Sequence, residues 1–247
     1  MIGRVAKAAR AKRWVALLDA DERLASAVDP GTRDEAGPAC LAGIAWLDPG
    51  PWQPDDDLGR PGCLGLLVLE GFVVRHVDVV GRPATELLGP GDLLRPCEPD
   101  RTAPFASGVR WHVLEACCVA VLDERVCAVI GRWPDLVAAI VGRALARSRE
   151  QAIALAAGQI PSVRVRLLVV LWHIAQRWGV AHEDGTLIPV RLTHELLGNL
   201  TSAQRPSVSH ALTALRTGGL IGRTPDGRFV LHGDPPSALT RLRQSLG

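Results

Sequence analysis

One segment near the C-terminus, QRPSVSHALTALRTGGLIGR, combines the periodicity of a helix with a polar and cationic face. It extends from Gln204 to Arg223 and contains no acidic residue. One face of the predicted helix is apolar, with residues at the spacing of a buried stripe: Val208, Ala211, Leu212 and Leu215. The opposite face and its edges carry small or polar residues: Arg205, Pro206, Ser209, His210, Thr213 and Thr217. Side chains of these types suit contacts with phosphates and with the edges of bases.

The ends of this helix are marked by residues that favour helix termini. Pro206 is compatible only with a first turn, where its missing N–H leaves no hydrogen bond unmade. Gly218 and Gly219 end the helix, because glycine adopts the left-handed conformation of a C-cap. The segment therefore predicts a helix over Arg205–Thr217.

Enzymatic chemistry is not indicated by any group of residues. Ser207 and His210 are three residues apart on the helix, but no acidic residue of this motif can orient the imidazole. The acidic run Asp55–Asp57 is interpreted as a solvated loop, because its consecutive side chains point in different directions. The segment GRPGCLG lacks the lysine and the helix of a phosphate-binding loop. We expect a protein that is not an enzyme and that needs no metal or other cofactor.

Length and hydropathy place limits on the architecture. The chain has 247 residues, enough for one large domain or two of ordinary size. Hydrophobic residues make up 47% of it, which is ample for a packed core. No apolar run reaches the ~18 residues typical of a membrane span, and the basic N-terminus lacks the apolar block of a signal peptide. The expected location is the cytoplasm, with no membrane partner.

Charge is distributed unevenly along the chain, although the net charge is only +2. Residues 1–13 carry five basic and no acidic side chains, and residues 14–158 carry 13 basic and 21 acidic ones. Residues 159–247 carry 10 basic and 5 acidic ones. An acidic body followed by a basic C-terminal part is typical of a protein in which one domain binds a polyanion.

The first half of the chain changes from helical to β-type patterns. Residues 1–28 are predicted to be helical, with Val15, Leu18 and Leu24 on one face, and the following DPGTRDEAGPA is predicted to be a loop. From Cys40 to Asp123, short apolar runs are interrupted by Gly, Pro and Asp. Such runs favour an antiparallel barrel or sandwich.

A long helix is predicted from about Pro134. Its apolar residues are expected to line a helix–helix seam, to which Leu136, Val137, Ile140, Leu145, Ile153 and Leu155 contribute. Nearby alanine and glycine residues allow close approach of a second helix. We interpret this helix as a dimer stalk, and a core helix is the alternative.

The C-terminal elements follow from Ser162 onwards. The patterns predict a helix that ends at Gly179, a short β-pair, a short helix capped by Thr193, the helix described above and a hairpin with a Pro-Asp-Gly turn. This is the order of elements in a winged helix-turn-helix.

The segment LTHELLGNLTSAQRPSVSHALTALRTGGLIGRTPDGRFVLHG resembles the DNA-binding domain of the CRP/FNR family of bacterial transcription regulators. Gly198 matches the small residue of the family's first motif helix, and Val208 matches the buried position of the second. Ser202 departs from the family, which usually has glycine in the turn between them. Upstream, LLGPGDLL resembles the glycine turn of the family's β-roll, and VLEACCVAVLDERV resembles its last strand.

The resemblance implies an α+β fold with an N-terminal antiparallel β-roll of the cyclic-nucleotide-binding type, a long dimerisation helix and a C-terminal winged helix-turn-helix. The expected domains are residues 1–133, 134–158 and 159–247, with a hinge at Gly158–Ser162. The implied function is sequence-specific binding of a homodimer to a pseudo-palindromic operator. The expected partners are double-stranded DNA, a second copy of the chain and, as a further candidate, RNA polymerase.

The resemblance also assigns roles to individual residues. Those that fall on the family's base-reading positions are Arg205, Pro206 and His210, and those expected near phosphates are Ser207 and Ser209. Arg205 suits a bidentate contact with guanine, whereas Pro206 replaces a common Glu and His210 a common Arg, so the operator cannot be copied from the family. Further phosphate contacts are expected at the start of the first motif helix and at the wing, from Thr193, His194, Arg223 and Arg228.

An effector is not identified by the sequence. Relatives that bind cyclic AMP have a Gly-Glu pair where this chain has Arg95-Pro96, and Arg101-Thr102-Ala103 matches the other half of that motif with short spacing. All six cysteines precede residue 128, no C-x-x-C is present, and buried free thiols are the expected state. The alternative function is a sensory or interaction module of the same fold with weak DNA affinity, responding to redox state through its cysteines or to haem through Cys97 with His76 or His112.

Overall fold

The structure is a computed structural model that describes residues 13–54, 62–96, 107–235, 237 and 239. The predictions made for residues 1–12, Asp55–Asp57, Cys97 and Arg101–Ala103 lie outside the described residues. The chain divides into two compact units. The first comprises the described residues up to Arg149 apart from Pro83–Thr85, and the second comprises those three residues and the part from Glu150 onwards.

Strands dominate the middle of the first unit, and helices lie at its two ends. Its elements in chain order are β1 (Arg13–Ala16), α1 (Leu17–Ala20), α2 (Glu22–Ser26), α3 (Pro30–Ala36), β2 (Leu41–Leu47), β3 (Gly50–Trp52), β4 (Gly65–Glu70), β5 (Val73–Val79), β6 (Arg82–Leu88), β7 (Leu93–Leu94), β8 (Ser107–Val113), β9 (Cys117–Leu122), α4 (Glu124–Ile130) and α5 (Pro134–Gly158). The part of α5 from Glu150 onwards belongs to the second unit. The change from helix to strand near residue 40 agrees with the sequence pattern.

Two antiparallel sheets form the roll. Their strand orders are β1-β2-β9-β4-β7 and β3-β8-β5-β6. Side chains from both sheets share one buried cluster, which includes Val68 of β4, Val73 of β5 and Trp111 of β8. Because side chains alternate between the faces of a strand, Cys117 enters this cluster and the adjacent Cys118 points to the opposite face, as predicted.

A second apolar cluster lies between the other face of the larger sheet and the helices. Leu67 of β4 and Ala120 of β9 meet Leu24 of α2 and Leu136 and Ile140 of α5 there. The predicted seam is therefore wrong for Leu136 and Ile140, because these side chains are buried inside the first unit. Val137, Leu145, Ile153 and Leu155 remain exposed, as a helix–helix seam requires.

Two arginines one turn apart fix the first half of α5. Arg143 donates from both terminal nitrogens to the carboxylate of Asp21, at 2.5 and 2.6 Å, and also to the carbonyl oxygen of Gly91 at 3.1 Å. Arg147 donates to both carboxylate oxygens of Glu86, at 2.9 and 3.0 Å, and to the carbonyl oxygen of Leu93 at 2.6 Å. The guanidinium groups thus hold α5 at the glycine turn of the roll.

The N-terminal prediction is wrong in three places. Arg13–Ala16 is a strand that pairs with Leu41–Ile44, because the edge of the larger sheet offers unpaired backbone groups to this segment. The helix expected through residue 28 is also interrupted at Asp21, whose carboxylate caps α2. The predicted loop contains α3, since Asp29 accepts the N–H of Gly31 and Pro30 occupies the first turn.

The second unit contains the remaining helices and a small sheet. Its further elements are α6 (Val163–Trp178), β10 (Val180–His182), β11 (Gly185–Leu187), α7 (His194–Thr201), α8 (Arg205–Thr217), β12 (Ile221–Arg223) and β13 (Phe229–Leu231). The strand order β10-β11-β13-β12 is antiparallel throughout. This sequence of elements confirms the predicted winged helix-turn-helix. Within the described ranges, no helix is long and apolar enough to span a bilayer.

Replacement of Asp21 tests the connection between α5 and the roll. Burial alone raises the pKa of Asp21, but the Arg143 guanidinium and the N–H of Leu24 more than offset this and lower it. We expect Asp21→Asn to reduce the free energy of unfolding by about 3 kcal/mol at pH 7, because Arg143 loses its buried partner. Urea denaturation measures the change.

The pH dependence of the free energy of unfolding checks whether the effect of Asp21→Asn comes from the ion pair. A lowered carboxyl pKa contributes stability above the unfolded-state value, near pH 4, and loses it as the pH falls through the folded-state value. The difference between wild type and Asp21→Asn should therefore shrink below about pH 4. The exposed Asp19→Asn should behave like wild type. Equal stability of Asp21→Asn and Asp19→Asn would contradict the role of the ion pair.

Candidate nucleic-acid interface

α7 begins at a side-chain cap and α8 begins at a proline. The hydroxyl oxygen of Thr193 accepts the N–H of Leu196 at 3.1 Å, which confirms Thr193 as the predicted N-cap. α8 starts at Arg205 with Pro206 in its first turn and ends at Thr217, as predicted. Gly219 has a φ of +65°, so the chain leaves the helix through the left-handed conformation.

The turn between α7 and α8 brings two backbone segments into contact. The N–H of Ala203 donates to the carbonyl oxygen of Gly198 at 2.9 Å. A Cβ atom on Gly198 would lie 2.7 Å from the carbonyl oxygen of Ala203, so no larger residue fits there. The small residue that the family resemblance implies at this position therefore has a steric reason in this chain.

Ser202 lies in the same turn with an unusual backbone conformation. Its φ and ψ are +50° and +42°, the left-handed region that glycine adopts most easily. This conformation gives a physical reason for the glycine that the family usually has in the turn. Serine incurs a conformational cost of roughly 1 kcal/mol in this region, because its Cβ crowds the following carbonyl.

The buried face of α8 is the one that the sequence predicted. Val208, Ala211, Leu212 and Leu215 are all buried. The exposed face carries Arg205, Pro206, Ser207, His210, Thr213, Arg216 and Thr217. In the part of the chain that the structure describes, the side chains of Arg205, Ser207 and His210 have neither a hydrogen bond nor an ion pair, so they are available to a ligand.

His194, Ser209 and Arg223 form a hydrogen-bonded group that connects α7, α8 and β12. The Ser209 hydroxyl donates to the carbonyl oxygen of Arg205 at 3.1 Å and lies 2.9 Å from Nδ1 of His194. A terminal nitrogen of Arg223 lies 3.3 Å from Nε2 of His194. One tautomer satisfies every contact: Nδ1–H donates to Ser209, and Nε2 accepts from Arg223.

The electrostatic surroundings of His194 favour this neutral form. Burial lowers its pKa, and the positive charges of Arg223 and Arg205 lower it further. The guanidinium of Arg223 also stacks on the ring of Phe229, 4.4 Å from the centroid. Arg223 is therefore held in position by two neighbours while remaining exposed to solvent.

The wing is a hairpin whose turn is closed by side chains. The N–H of Thr224 donates to the carbonyl oxygen of Arg228, and the N–H of Arg228 donates to the Thr224 hydroxyl oxygen, both at 3.0 Å. The Thr224 hydroxyl in turn donates to Asp226. Gly227 occupies the left-handed position of the predicted Pro-Asp-Gly turn, with φ +85°. Arg228 pairs with Asp226 at 3.0 Å, so its charge is partly neutralised inside the wing.

Two basic residues near this surface were missed by the sequence analysis. Arg191 is exposed and donates to the carbonyl oxygen of Asp226 at 2.9 Å, which places it beside the wing turn. Arg216 lies in the last turn of α8, close enough to Arg223 to lower the pKa of its guanidinium, after the larger effect of burial. The signal for Arg216 was present, because residues eleven apart share a helix face and Arg205 lies eleven residues earlier.

The two histidines proposed as sensory candidates lie in β5 and β8 of the smaller sheet, and Cys97 lies outside the described residues. His76 pairs with Arg110 and His112 with Val74, so both histidines lie on the sheet face opposite the buried Trp111. Burial raises the pKa of Cys117 to about 12, with the neighbouring Cys118, Glu70 and Glu115 adding to it. The described cysteines are free thiols; four of them are buried, as expected, and Cys127 is half-buried.

Comparison with known proteins supports this organisation. Residues 165–236 match a family model described as a Crp-like helix-turn-helix domain. Among solved structures, the CRP-family transcriptional regulator TTHB099 from Thermus thermophilus is similar, with 20% identity and a TM-score of 0.56 over 79% of this chain and 95% of that one. No curated protein sequence gives a significant match.

Two further structures have the same fold. A CooA mutant from Carboxydothermus hydrogenoformans has 16% identity and a TM-score of 0.59 over 83% of this chain and 87% of that one. A cyclic nucleotide-binding domain containing protein from Listeria monocytogenes has 14% identity and a TM-score of 0.62 over 78% and 89%. These matches confirm the predicted α+β architecture of β-roll, long helix and winged helix-turn-helix.

Replacement of Ser202 tests the strain in the turn. We expect Ser202→Gly to raise the free energy of unfolding by about 0.5–1 kcal/mol, because glycine adopts positive φ without steric conflict. Ser207→Gly is the matched control and should lower stability by about 0.5 kcal/mol, since its backbone is helical. Thermal and urea unfolding compare the variants. A Ser202→Gly protein no more stable than wild type would contradict the assignment of strain.

Proposed function

We propose that the protein is a homodimeric, sequence-specific DNA-binding regulator, because residues 165–236 match the model of a Crp-like helix-turn-helix domain and the chain has the fold of a CRP-family transcriptional regulator. The observation that carries the proposal is the exposed face of α8. It presents Arg205, Ser207 and His210 without partners among the described residues, and it carries no acidic residue. A helix of 13 residues with such a face fits the major groove of B-DNA.

The residues of this face take different roles. Arg205, in the first turn of α8, has a planar guanidinium group that can donate two hydrogen bonds to O6 and N7 of guanine. His210, five residues further along, offers a single hydrogen bond, and Pro206 offers only apolar contact with a base such as thymine. Base reading therefore depends mainly on Arg205, and Ser207 is placed to contact the adjacent phosphate.

Backbone contacts are proposed for the surrounding residues. The N-terminal N–H groups of α7, next to Thr193 and His194, point towards the outside of the helix end and suit a phosphate. Arg223 is oriented by His194 and Phe229 and remains exposed, which makes it the stronger wing candidate. Arg228 is the weaker wing candidate because its guanidinium is paired with Asp226. Ser209 is a weaker candidate for a phosphate contact, because its hydroxyl already donates to the carbonyl oxygen of Arg205. Arg191 and Arg216 add to the positive field of the same surface.

Dimerisation is assigned to the exposed stripe of α5. Leu145 and Leu155 have exposed fractions of 67% and 72%, unusually high for leucine, and Val141 lies on the same face one turn before Leu145. The residues between them include alanine and serine, which allow a second helix to approach closely. Two copies packed along this stripe would present two recognition helices to half-sites about one helical turn of DNA apart.

Selection of bound duplexes from a random library tests the proposal, followed by titration of the selected sequence. We expect a palindromic consensus, and Arg205→Ala should weaken its binding about tenfold or more while relaxing preference at one base pair of each half-site. Arg164→Ala is the control, because it removes the same charge from α6 outside this surface. A library without enrichment would contradict sequence-specific reading and favour a sensory or interaction module.

Replacement of Leu145 tests the dimer interface. Leu145→Glu should shift the protein from dimer to monomer, because it places charge in an apolar seam, and light scattering after size-exclusion chromatography measures the mass. Ala154→Glu adds the same charge to an exposed position on the side of the helix opposite Leu145 and should leave the dimer intact. Equal masses for wild type and Leu145→Glu would show that α5 is not the interface.

A further inference from the structure

One guanidinium group connects the segment that follows α5 with the turn that precedes the recognition helix. Arg166, in the first turn of α6, donates from Nε and from one terminal nitrogen to the carbonyl oxygen of Ile160, at 3.0 and 2.7 Å. Its other terminal nitrogen donates to the carbonyl oxygen of Thr201 at 2.6 Å and reaches that of Ser202 at 3.5 Å. All three side-chain nitrogens are therefore engaged with backbone acceptors.

Each of these acceptors lies at a helix end. Thr201 is the last residue of α7, whose final carbonyl groups have no partner within the helix. Ile160 follows the end of α5 by two residues and still donates its N–H to the carbonyl oxygen of Ala157. A cation at a helix C-terminus is stabilised by the helix dipole. Arg166 thus closes the C-terminal ends of two helices at once.

The turn that Arg166 contacts is the strained one. Ser202 has a positive φ, and the carbonyl oxygens of Thr201 and Ser202 must keep their direction for Ala203 to reach Gly198. Three residues further along, α8 begins with Arg205. A change in the direction of this turn would therefore be carried directly into the first turn of the recognition helix.

We propose that Arg166 is a positioning residue for DNA reading, which sets the orientation of α8 relative to the end of α5 without contacting DNA. The inference rests on the proposed function, and it adds a residue from outside the helix-turn-helix surface to the residues on which specificity depends. Because one dimer must bind both half-sites together, a wrong orientation of α8 weakens the contacts with both half-sites.

Three variants of the full-length protein test the proposal against the selected operator and against a random duplex. Arg166→Ala should weaken specific binding about tenfold or more, with little change in nonspecific binding. Its salt dependence on the operator should keep the wild-type slope, whereas loss of a phosphate contact would reduce the slope by about one. Arg164→Ala, two residues away on α6, should bind like wild type.

Arg166→Lys separates geometry from charge. Lysine keeps the positive charge, but its single nitrogen cannot reach acceptors on both sides, so it should not restore specific binding. Amide hydrogen exchange of the turn between α7 and α8 supplies a readout independent of DNA, and exchange should accelerate in Arg166→Lys while the interior of α6 stays protected.

Several results would overturn the inference. Specific binding of Arg166→Lys at the wild-type level would show that charge alone matters, and a reduced salt slope would make Arg166 a phosphate contact. Loss of folding in both Arg166 variants would show that the residue holds the unit together and has no separate positioning role. If wild type selects no operator, the proposed function itself fails; if wild type selects one and the Arg166 variants bind it equally, only this inference fails.

Discussion

The close approach of α7 and α8 at Gly198 is the constraint on which the second unit depends. The carbonyl oxygen of Ala203 occupies the space that a side chain at residue 198 would need. This contact permits a turn short enough to bury Val208 under α7 and to leave the opposite side of α8 in solvent. Ser202 adopts a left-handed conformation to complete the turn. This conformation lowers the stability of the unit but fixes the direction of α8.

Charge is used differently in the two units. In the first, arginines of α5 are paired with carboxylates: Arg143 with Asp21 and Arg147 with Glu86. In the second, Arg205 has no partner within the described part of the chain, and Arg223 meets a neutral histidine. Paired charges fix elements within a fold, whereas unpaired cations on one surface attract a polyanion.

Much of this could be predicted from the sequence because the relevant signals are local. The apolar stripe of α8, the Thr193 cap, Pro206 in the first turn and the Pro-Asp-Gly turn depend on neighbours within a few residues. The errors arose where contacts with residues distant in the sequence determine the secondary structure or the burial of a segment. Arg13–Ala16 has a helical pattern but pairs with β2, and Leu136 and Ile140 were assigned to a seam although the roll buries them.

The hydrogen bonds within the candidate site could not be predicted from the sequence either. His194 is fifteen residues from Ser209 and twenty-nine from Arg223, and nothing in their spacing indicates that they meet. Arg166 is likewise thirty-five residues from Thr201. Asp29 and Pro30, by contrast, carried a local helix-start signal for α3 that the surrounding Gly and Pro residues obscured.

The central claim, that two copies of α8 read the major groove, is tested most directly by methylation interference on the selected duplex. Methylation at N7 of guanine blocks the major-groove edge that Arg205 is proposed to contact. We expect two symmetric clusters of interfering guanines, with centres about one helical turn apart. Binding that tolerates methylation at every guanine of the duplex would contradict this claim.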